Sequence, residues 1–578
     1  MLFHAEANDR FMRHASRRSV VHSSRGVVTS SQPLASSAGV KVLDAGGNAM
    51  DAAVATAAAL NVTEPCSTGI GGDCFVLYYS AKDGRVHGLN ASGRSPKALT
   101  RELVLETVNG DSIPHSSIHS VTIPGAAAGW CDAVAAFGNL QMSQILAPAI
   151  RLAENGFPVH HVAATQWQRS EVLLKNASAN ADEMFLNGRA PREGEIMFMP
   201  HLAQTFRELG DSGKDAFYKG RIAQEIVALV QRKGGVMTME DLAQHSSEFV
   251  EPLTYTYANE YVVHECPPNG QGITALIALG ILESCERQGL LSQPLLELPH
   301  NGTEYLHYVI ESLRLAFAET RHHVCDPTTT SFNYKTLLTP EYLDARARLI
   351  QPKRTTDVKH SSPEHSSDTV YFTVADEHGN VASFINSNYA GFGTGAIPRK
   401  CGFTLQNRGT GFSLDETHPN VVAGGKRPFH TIIPAICTRV STNDVFMSWS
   451  VMGGYNQPQG QLQTFLNVLR GFSAQEAVDA SRLCIGATRP TQTPMIAKQS
   501  HLQSDTTSAS EINTEVNIEE GVDDHVIREL QDMGHCVTVV RNMQRQVCGR
   551  GQIIVKTNPR VWSAGSDMRA DGCAIAQV

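Results

Sequence analysis

One abrupt change of composition constrains this chain more than any other feature. Residues 353–368, KRTTDVKHSSPEHSSD, carry a single aliphatic side chain, Val358, among Ser, His and charged groups. Such a stretch has too little apolar surface to pack, so it is expected to be a solvated, accessible linker. The next residues, TVYFTVA (369–375), alternate Thr369, Tyr371 and Thr373 against Val370, Phe372 and Val374. That period of two is the signature of a strand. A turn, DEHGN (376–380), then leads to a second strand, VASFINSN (381–388). If the five turn residues form the loop, residue 375 faces 381 and, counting outward, Thr369 faces Ser387. Directly opposed antiparallel residues have Cβ atoms about 4.5–5.5 Å apart. Two hydroxyls are therefore expected to meet where linker becomes strand.

The rest of the chain divides around that break into a polar N-terminal segment (1–35), a long unit (36–368) and a shorter one (369–578). From residue 36 to about 350 the pattern is mostly helical with short strands between. Asn48 with Asp51 three positions on resembles a capping box, opening an Ala-rich helix over Asp51–Leu60. TEYLHYVIESLRLAFAETR (303–321) places Leu306, Val309, Ile310, Leu313 and Phe317 on one helical face, and GITALIALGILES (272–284) has the composition of a buried helix. After the hairpin, short strands broken by Gly run to about 458, followed by a helix (Gln461–Leu469), a Ser/Thr-rich acidic loop (504–516) and a last helix–strand stretch. The overall expectation is an α+β fold.

Several function classes fall away on composition. With 42% hydrophobic and 18% charged residues over 578 positions, the chain is globular in type. Its net charge is −9 and it has no basic run, which argues against binding nucleic acid by phosphate neutralisation. No apolar stretch approaches the about 18 residues of a membrane span, and the N-terminus shows no apolar signal core. A cytoplasmic protein without membrane contact is the expectation. The 12 cysteines are scattered without a C-x-x-C pair, and His160-His161 and His322-His323 lack metal-ligand spacing, so no metal is expected. GFGTGA (391–396) matches a dinucleotide fingerprint, with Asp415 and Glu416 about 20 residues on. Pro398 and turn-like residues follow it where a helix is required, so no nucleotide cofactor is expected.

The hydroxyl pair has a chemical reading and a plain one. A threonine hydroxyl attacks a carbonyl only with a base beside it, and an N-terminal threonine carries that base as its own α-amine. The α-amine titrates near pH 7.7–8.0, where a general base is useful. Thr369 reaches that state if the chain is cut between Asp368 and Thr369. By pattern alone, the plainer reading is favoured, in which Thr369 merely starts a strand after a surface loop. Gly453-Gly454, after the apolar run MSWSVM, has the same two readings: a tight turn, or backbone N–H groups open to a developing oxyanion.

A longer series of motifs resembles a known family. GGNAMDAAVATAAALNVTEPCSTGIGGDCF (46–75), VTIPGAAAGW (121–130), ILAPAIRLAENGFPV (145–159), DTVYFTVADEHGNVASF (368–384), GGKRP (424–428), the Gly453-Gly454 pair and GSDMRADG (565–572) occur in order. Together they resemble the γ-glutamyltransferase (γ-glutamyltranspeptidase, glutathione hydrolase) family of N-terminal-nucleophile hydrolases. The resemblance implies an αββα sandwich built jointly by two fragments of a self-cleaving precursor, here 1–368 and 369–578, which remain associated. It implies Thr369 as nucleophile, Ser387 in place of a threonine that holds it, Gly453 and Gly454 as oxyanion-hole glycines, and no cofactor.

The departures bear on substrate. The family's glutamate-binding arginine falls on Ser92, with Arg94 two residues on, and its Ser-Ser pair after K-R-P falls on His430-Thr431. The family's amine-recognising Asn, Gln and Asp fall on Tyr389, Arg408 and Gly411. LQNRG (405–409), THPN (417–420) and KRPFHTIIPA (426–435) resemble instead an acylase-like branch with oxamate amidohydrolase-type members. The expected substrate is a small carboxylated amide or N-acyl compound, contacted by Arg94, Tyr389, Arg408, His430 and Thr431. A true γ-glutamyl enzyme acting on glutathione or its conjugates is the alternative, and a non-catalytic scaffold the third reading.

Overall fold

The computed structural model describes residues 16, 18–108, 110–356, 369–486 and 515–578. Asp368, most of the expected linker and nearly all of the expected loop at 504–516 lie outside the described residues. Two seven-stranded antiparallel sheets form the centre. Sheet I runs, in spatial order, Cys573–Ala576, Val27–Ser30, Val370–Ala375, Val381–Ser387, Asp73–Ser80, Arg85–Ala91 and Glu248–Val250. Sheet II runs Val21–Ser23, Val561–Ser566, Arg550–Asn558, Val445–Met452, Ala435–Arg439, Tyr261–Glu265 and Leu253–Tyr257.

Side-chain alternation stacks these sheets into layers. Tyr371, Phe75, Leu77, Val381 and Ile385 of sheet I meet Ile436, Val445, Ile554 and Trp562 of sheet II in one buried cluster. The opposite face of sheet I, with Val370, Phe372, Val374 and Phe384, packs on the helices Pro33–Asp44 and Ala49–Thr63. The outer face of sheet II, with Cys437, Met447, Trp449 and Ile553, packs on Gly272–Arg287, Thr303–His323 and Gln457–Leu469. The order is helix, sheet, sheet, helix.

Local signals explain the elements nearest the site. The Asn48 carboxamide accepts the N–H groups of Met50 and Asp51, and Asp51 accepts that of Asn48, so the capping box forms. Every residue of that helix is buried, which its run of alanines permits. The hairpin keeps the expected register, from Ala375 opposite Val381 to Val370 opposite Asn386. The glycine-rich 391–396 segment turns without a helix, with Gly393 and Gly395 at positive φ.

The N-terminal segment differs from expectation. Within 1–35, Val27–Ser30 is a fully buried strand between Cys573–Ala576 and Val370–Ala375. Polar neighbours hide it in the sequence, because Val27 and Val28 supply one apolar side chain to each face. The helix Pro33–Asp44 also crosses the expected boundary at residue 35, with proline in its first turn. The GSDMRADG motif closes a buried ionic group: Asp567 pairs with Arg482 and Arg569, and Arg569 with Glu519. Among the described residues, no helix is long and apolar enough to cross a membrane.

Candidate active site

The hairpin delivers the hydroxyl pair as expected. Thr369 Oγ1 and Ser387 Oγ lie 2.9 Å apart, both fully buried. Ser387 Oγ also accepts the N–H of Tyr389 at 2.9 Å and lies 3.4 Å from the donor Arg408 Nη2. Donors on its acceptor side favour the arrangement in which Ser387 gives its own hydrogen to Thr369 Oγ1. The threonine's proton is then left to face a base elsewhere. Tyr389 sits at φ 77°, uncommon for a bulky residue, and this bend is what brings its N–H onto Ser387.

Arg408 lies at the start of the 3-10 turn Arg408–Gly411 and is fully buried. Its Nη1 donates to Thr431 Oγ1 at 2.8 Å, and its guanidinium stacks 4.3 Å from the Tyr389 ring centre. Among the described residues no carboxylate pairs with it directly, and its Nε has no partner. Burial pushes its pKa down to about 10, so it remains a cation at neutral pH.

Behind this layer stands Asp73, opposite Ser387 in the sheet. Its Oδ1 accepts the N–H groups of Gly93 and Gly125 and Gln406 Nε2 at 2.9, 3.1 and 3.0 Å. Its Oδ2 accepts His430 Nε2 at 3.1 Å. His430 Nδ1 takes the Ile432 N–H, which places the ring proton on Nε2. Burial, helped by the Arg408 charge, pushes His430 down to about 3, so the ring is neutral. Burial raises Asp73, but the His430 bond and the Arg408 charge outweigh it and hold the carboxyl below its ordinary value. Asp73 is therefore a permanent buried anion balancing Arg408 across a neutral imidazole.

The glycine pair closes the other side. Strand Val445–Met452 ends at Gly453, with φ 135°, followed by Gly454 at φ 57°. Gly453 O accepts the Asn456 N–H at 3.0 Å, while Gly454 O accepts the Gln457 N–H and Gln271 Nε2, the latter at 2.9 Å. Among the described residues, neither glycine N–H meets a protein acceptor. Carbonyls held while N–H groups stay open is what an oxyanion site requires. A cleft of about 820 Å³ opens beside this group, with Tyr389, Phe429, Tyr455, Thr410 and Gly411 in its wall and His322 among its further lining residues.

This architecture recurs in proteins already known. The family model for gamma-glutamyltranspeptidase matches residues 35–577. The chain belongs to the γ-glutamyltranspeptidase family. It is 33% identical over 544 residues to the glutathione hydrolase-like YwrD proenzyme of Bacillus subtilis, covering 94% of this chain and 96% of that one. It is 30% identical to the oxamate amidohydrolase proenzyme of Klebsiella pneumoniae, covering 96% and 98%. The solved cephalosporin acylase from Bacillus halodurans superimposes with a TM-score of 0.84 at 37% identity, covering 97% of each chain. The fold is thus the αββα sandwich of N-terminal-nucleophile hydrolases, and the chain is an enzyme on the acylase-like side of the γ-glutamyltranspeptidase family.

Set against the sequence expectations, the structure gathers Thr369, Ser387, Tyr389, Arg408 and Thr431 into one bonded group. Arg94 is not brought into it. Its guanidinium is committed to Asp326 at 2.7 Å and Glu248 at 3.1 Å, with a further bond to Gly425 O. His430 stands one layer back, gripped by Asp73 and packed against the Phe75 ring. The Ser92 hydroxyl is bound to Asn90 Oδ1. Sequence reasoning missed Asp73, Gln406 and Gln271, whose bonds reach across as many as 357 positions. Asp73 and Gln271 stand in the Gly-rich stretches GGDC and NGQG, and Gln406 stands in LQNRG.

Proposed function

We propose that the chain is a self-processing threonine amidohydrolase that cleaves an amide carrying a short carboxylated acyl group. The observation that carries this reading is the 2.9 Å contact of Thr369 with Ser387 beside a buried guanidinium that no described carboxylate pairs. Cleavage after Asp368 frees the Thr369 α-amine, which takes the hydroxyl proton as Oγ1 attacks the scissile carbonyl. The oxygen that becomes negative is met by the Gly453 and Gly454 N–H groups, and Ser387 donates to Oγ1 before attack. The leaving amine departs with the proton held by the α-amine, and water then resolves the acyl-enzyme.

Arg408 lies two hydrogen-bond lengths from the nucleophile, so a carboxylate bound to it sits only a few carbons from the attacked carbonyl. The leaving group extends along the cleft past Tyr455 and Phe429. Gly411 presents no acid beside Tyr389 and Tyr455; of the carboxylates that line the cleft, Glu319 is paired with Arg346, and Asp111 and Asp415 are exposed. This favours an acyl group without an α-amine over a γ-glutamyl group.

Intact mass and N-terminal sequencing of the purified protein test the first step. Two fragments, the smaller beginning at Thr369, are expected, and Thr369→Ala is expected to stay a single inactive chain. A Thr369→Ala protein that is cut at the same place, or that turns over substrate, overturns the reading. Glutaryl and γ-glutamyl p-nitroanilides differ only by the α-ammonium, and faster turnover of the glutaryl compound is the expected order.

A further inference from the structure

We propose that Gln271 is a positioning residue for acyl transfer: its carboxamide ties the Gly453-Gly454 loop to the Thr431–Arg408–Ser387 chain beside the nucleophile. The proposal rests on the reading of Thr369 as nucleophile and Gly453-Gly454 as the oxyanion site.

Gln271 is fully buried and directly precedes the helix Gly272–Arg287. Its backbone N–H donates to His430 O at 3.0 Å, while the His430 N–H donates to Asn269 O at 2.9 Å. The PNGQ turn is thereby fastened to the segment that carries Thr431. The side chain then divides its two N–H donors between two loops. Nε2 donates to Thr431 O at 2.7 Å and to Gly454 O at 2.9 Å. Reversing the amide would set Oε1 against two carbonyl oxygens, so this orientation is forced by its surroundings.

Two features separate Gln271 from ordinary loop packing. The first is the nature of what it holds. Gly453 and Gly454 have no side chains to fix them, and their conformations, φ 135° and φ 57°, are ones that only glycine adopts easily. The bonds from Asn456 and Gln457 come from within the same turn, whereas Gln271 reaches across to the element that holds Arg408. Rate depends on the placement of oxyanion donors relative to the nucleophile, and a displacement of about 1 Å costs about 10²-fold. The second is that Gln271 Oε1 is buried with no partner. An unsatisfied buried acceptor is a cost that a methionine or leucine would avoid. A glutamine kept in that place has its use in the two N–H donors.

The experiment compares processed wild type, Gln271→Met, Gln271→Glu and Gln271→Asn on glutaryl p-nitroanilide, with kcat, KM and thermal midpoint measured for each. Gln271→Met removes both donors at constant length. Its kcat is expected to fall about 10²-fold, the size of effect given by losing an oxyanion contact, with KM changed by less than about threefold. Gln271→Glu places a carboxylate against two carbonyls at neutral pH. On acidification it regains one O–H donor, so the ratio of variant to wild-type kcat is expected to rise as pH falls. A purely structural role does not produce that rise.

Should Gln271→Met fail to fold, Gln271→Asn serves, since it keeps the donors but withdraws them by one methylene. A kcat loss at constant KM supports the proposal there too. Wild-type kcat in whichever of the two folds, a loss confined to KM, or a Glu-to-wild-type ratio flat with pH overturns it. If wild type is inactive, or Thr369→Ala is active, the failure belongs to the proposed function and not to Gln271.

Discussion

Replacing Arg408 by methionine separates substrate recognition from fold stability in one variant. In the free enzyme the guanidinium is fully buried, donates to Thr431 Oγ1 at 2.8 Å, and meets Ser387 only at 3.4 Å. Methionine keeps the length and the contact with the Tyr389 ring while deleting the charge. A hydrogen bond to a charged group contributes about 1.5–3 kcal/mol. At about 1.4 kcal/mol per tenfold, that predicts a loss of roughly 10- to 150-fold in kcat/KM for a carboxylated substrate. The assay pairs glutaryl p-nitroanilide with butyryl p-nitroanilide, which has no carboxylate. The glutaryl compound should suffer the full loss and the butyryl compound only a few-fold change, since the 3.4 Å bond to Ser387 is long. The thermal midpoint should change little, because the desolvation cost that methionine removes is offset by the loss of the charge that balances Asp73. Equal losses on the two substrates, together with a lowered midpoint, would refute the reasoning and make Arg408 a structural residue.

Two further outcomes follow from the same geometry. Ser387→Ala removes the hydroxyl facing Thr369 Oγ1, so kcat should fall about 10²-fold while Ser387→Thr restores it; an alanine variant with wild-type kcat would contradict the arrangement. Burial pushes His245 and His264 down to about 4 and His430 and His535 to about 3, against about 6.5 in the unfolded chain. The unfolded state therefore binds more protons below pH 6.5, and each histidine should lower stability by up to about 1.4 kcal/mol per pH unit as pH falls from 6.5 towards 4. Urea midpoints that stay flat between pH 7 and 5 would count against these rings being neutral in the fold.

The parts of this site that were legible in the sequence are those decided within a few residues. The Asn48 and Asp51 cap acts over three positions, and the 376–380 turn sets the register that brings Thr369 to Ser387. What stayed hidden depends on partners brought together by the fold. Arg94 looks available in the sequence, but Glu248 and Asp326 arrive from distant segments and neutralise it. His430 looks like a contact residue until Asp73 is found behind it. Val27–Ser30 is short and flanked by serines, and its strand identity comes from the neighbours on either side, one of them near the C-terminus.

The charge balance of the pocket ties these substitutions together. A γ-glutamyl group brings a carboxylate and an ammonium, and the family pattern answers it with an arginine and an aspartate. By the resemblance those positions fall on Ser92 and Gly411, and a cation stands at Arg408, where the family pattern has glutamine. Asp73 cannot stand in for the lost acid, because its four bonds to Gly93, Gly125, Gln406 and His430 use it up. The described first layer around Thr369 therefore carries one positive charge and no negative one. An ammonium entering it would meet Arg408 directly, with Asp73 only one layer back and fully bonded, whereas a bare carboxylate gains the charge-assisted bond. On the proposed reading, moving one cation and deleting one acid is enough to turn a pocket for an amino acid into one for a simple carboxylic acid, with the nucleophile threonine and the glycine pair kept and a serine at 387 in the place of a second threonine.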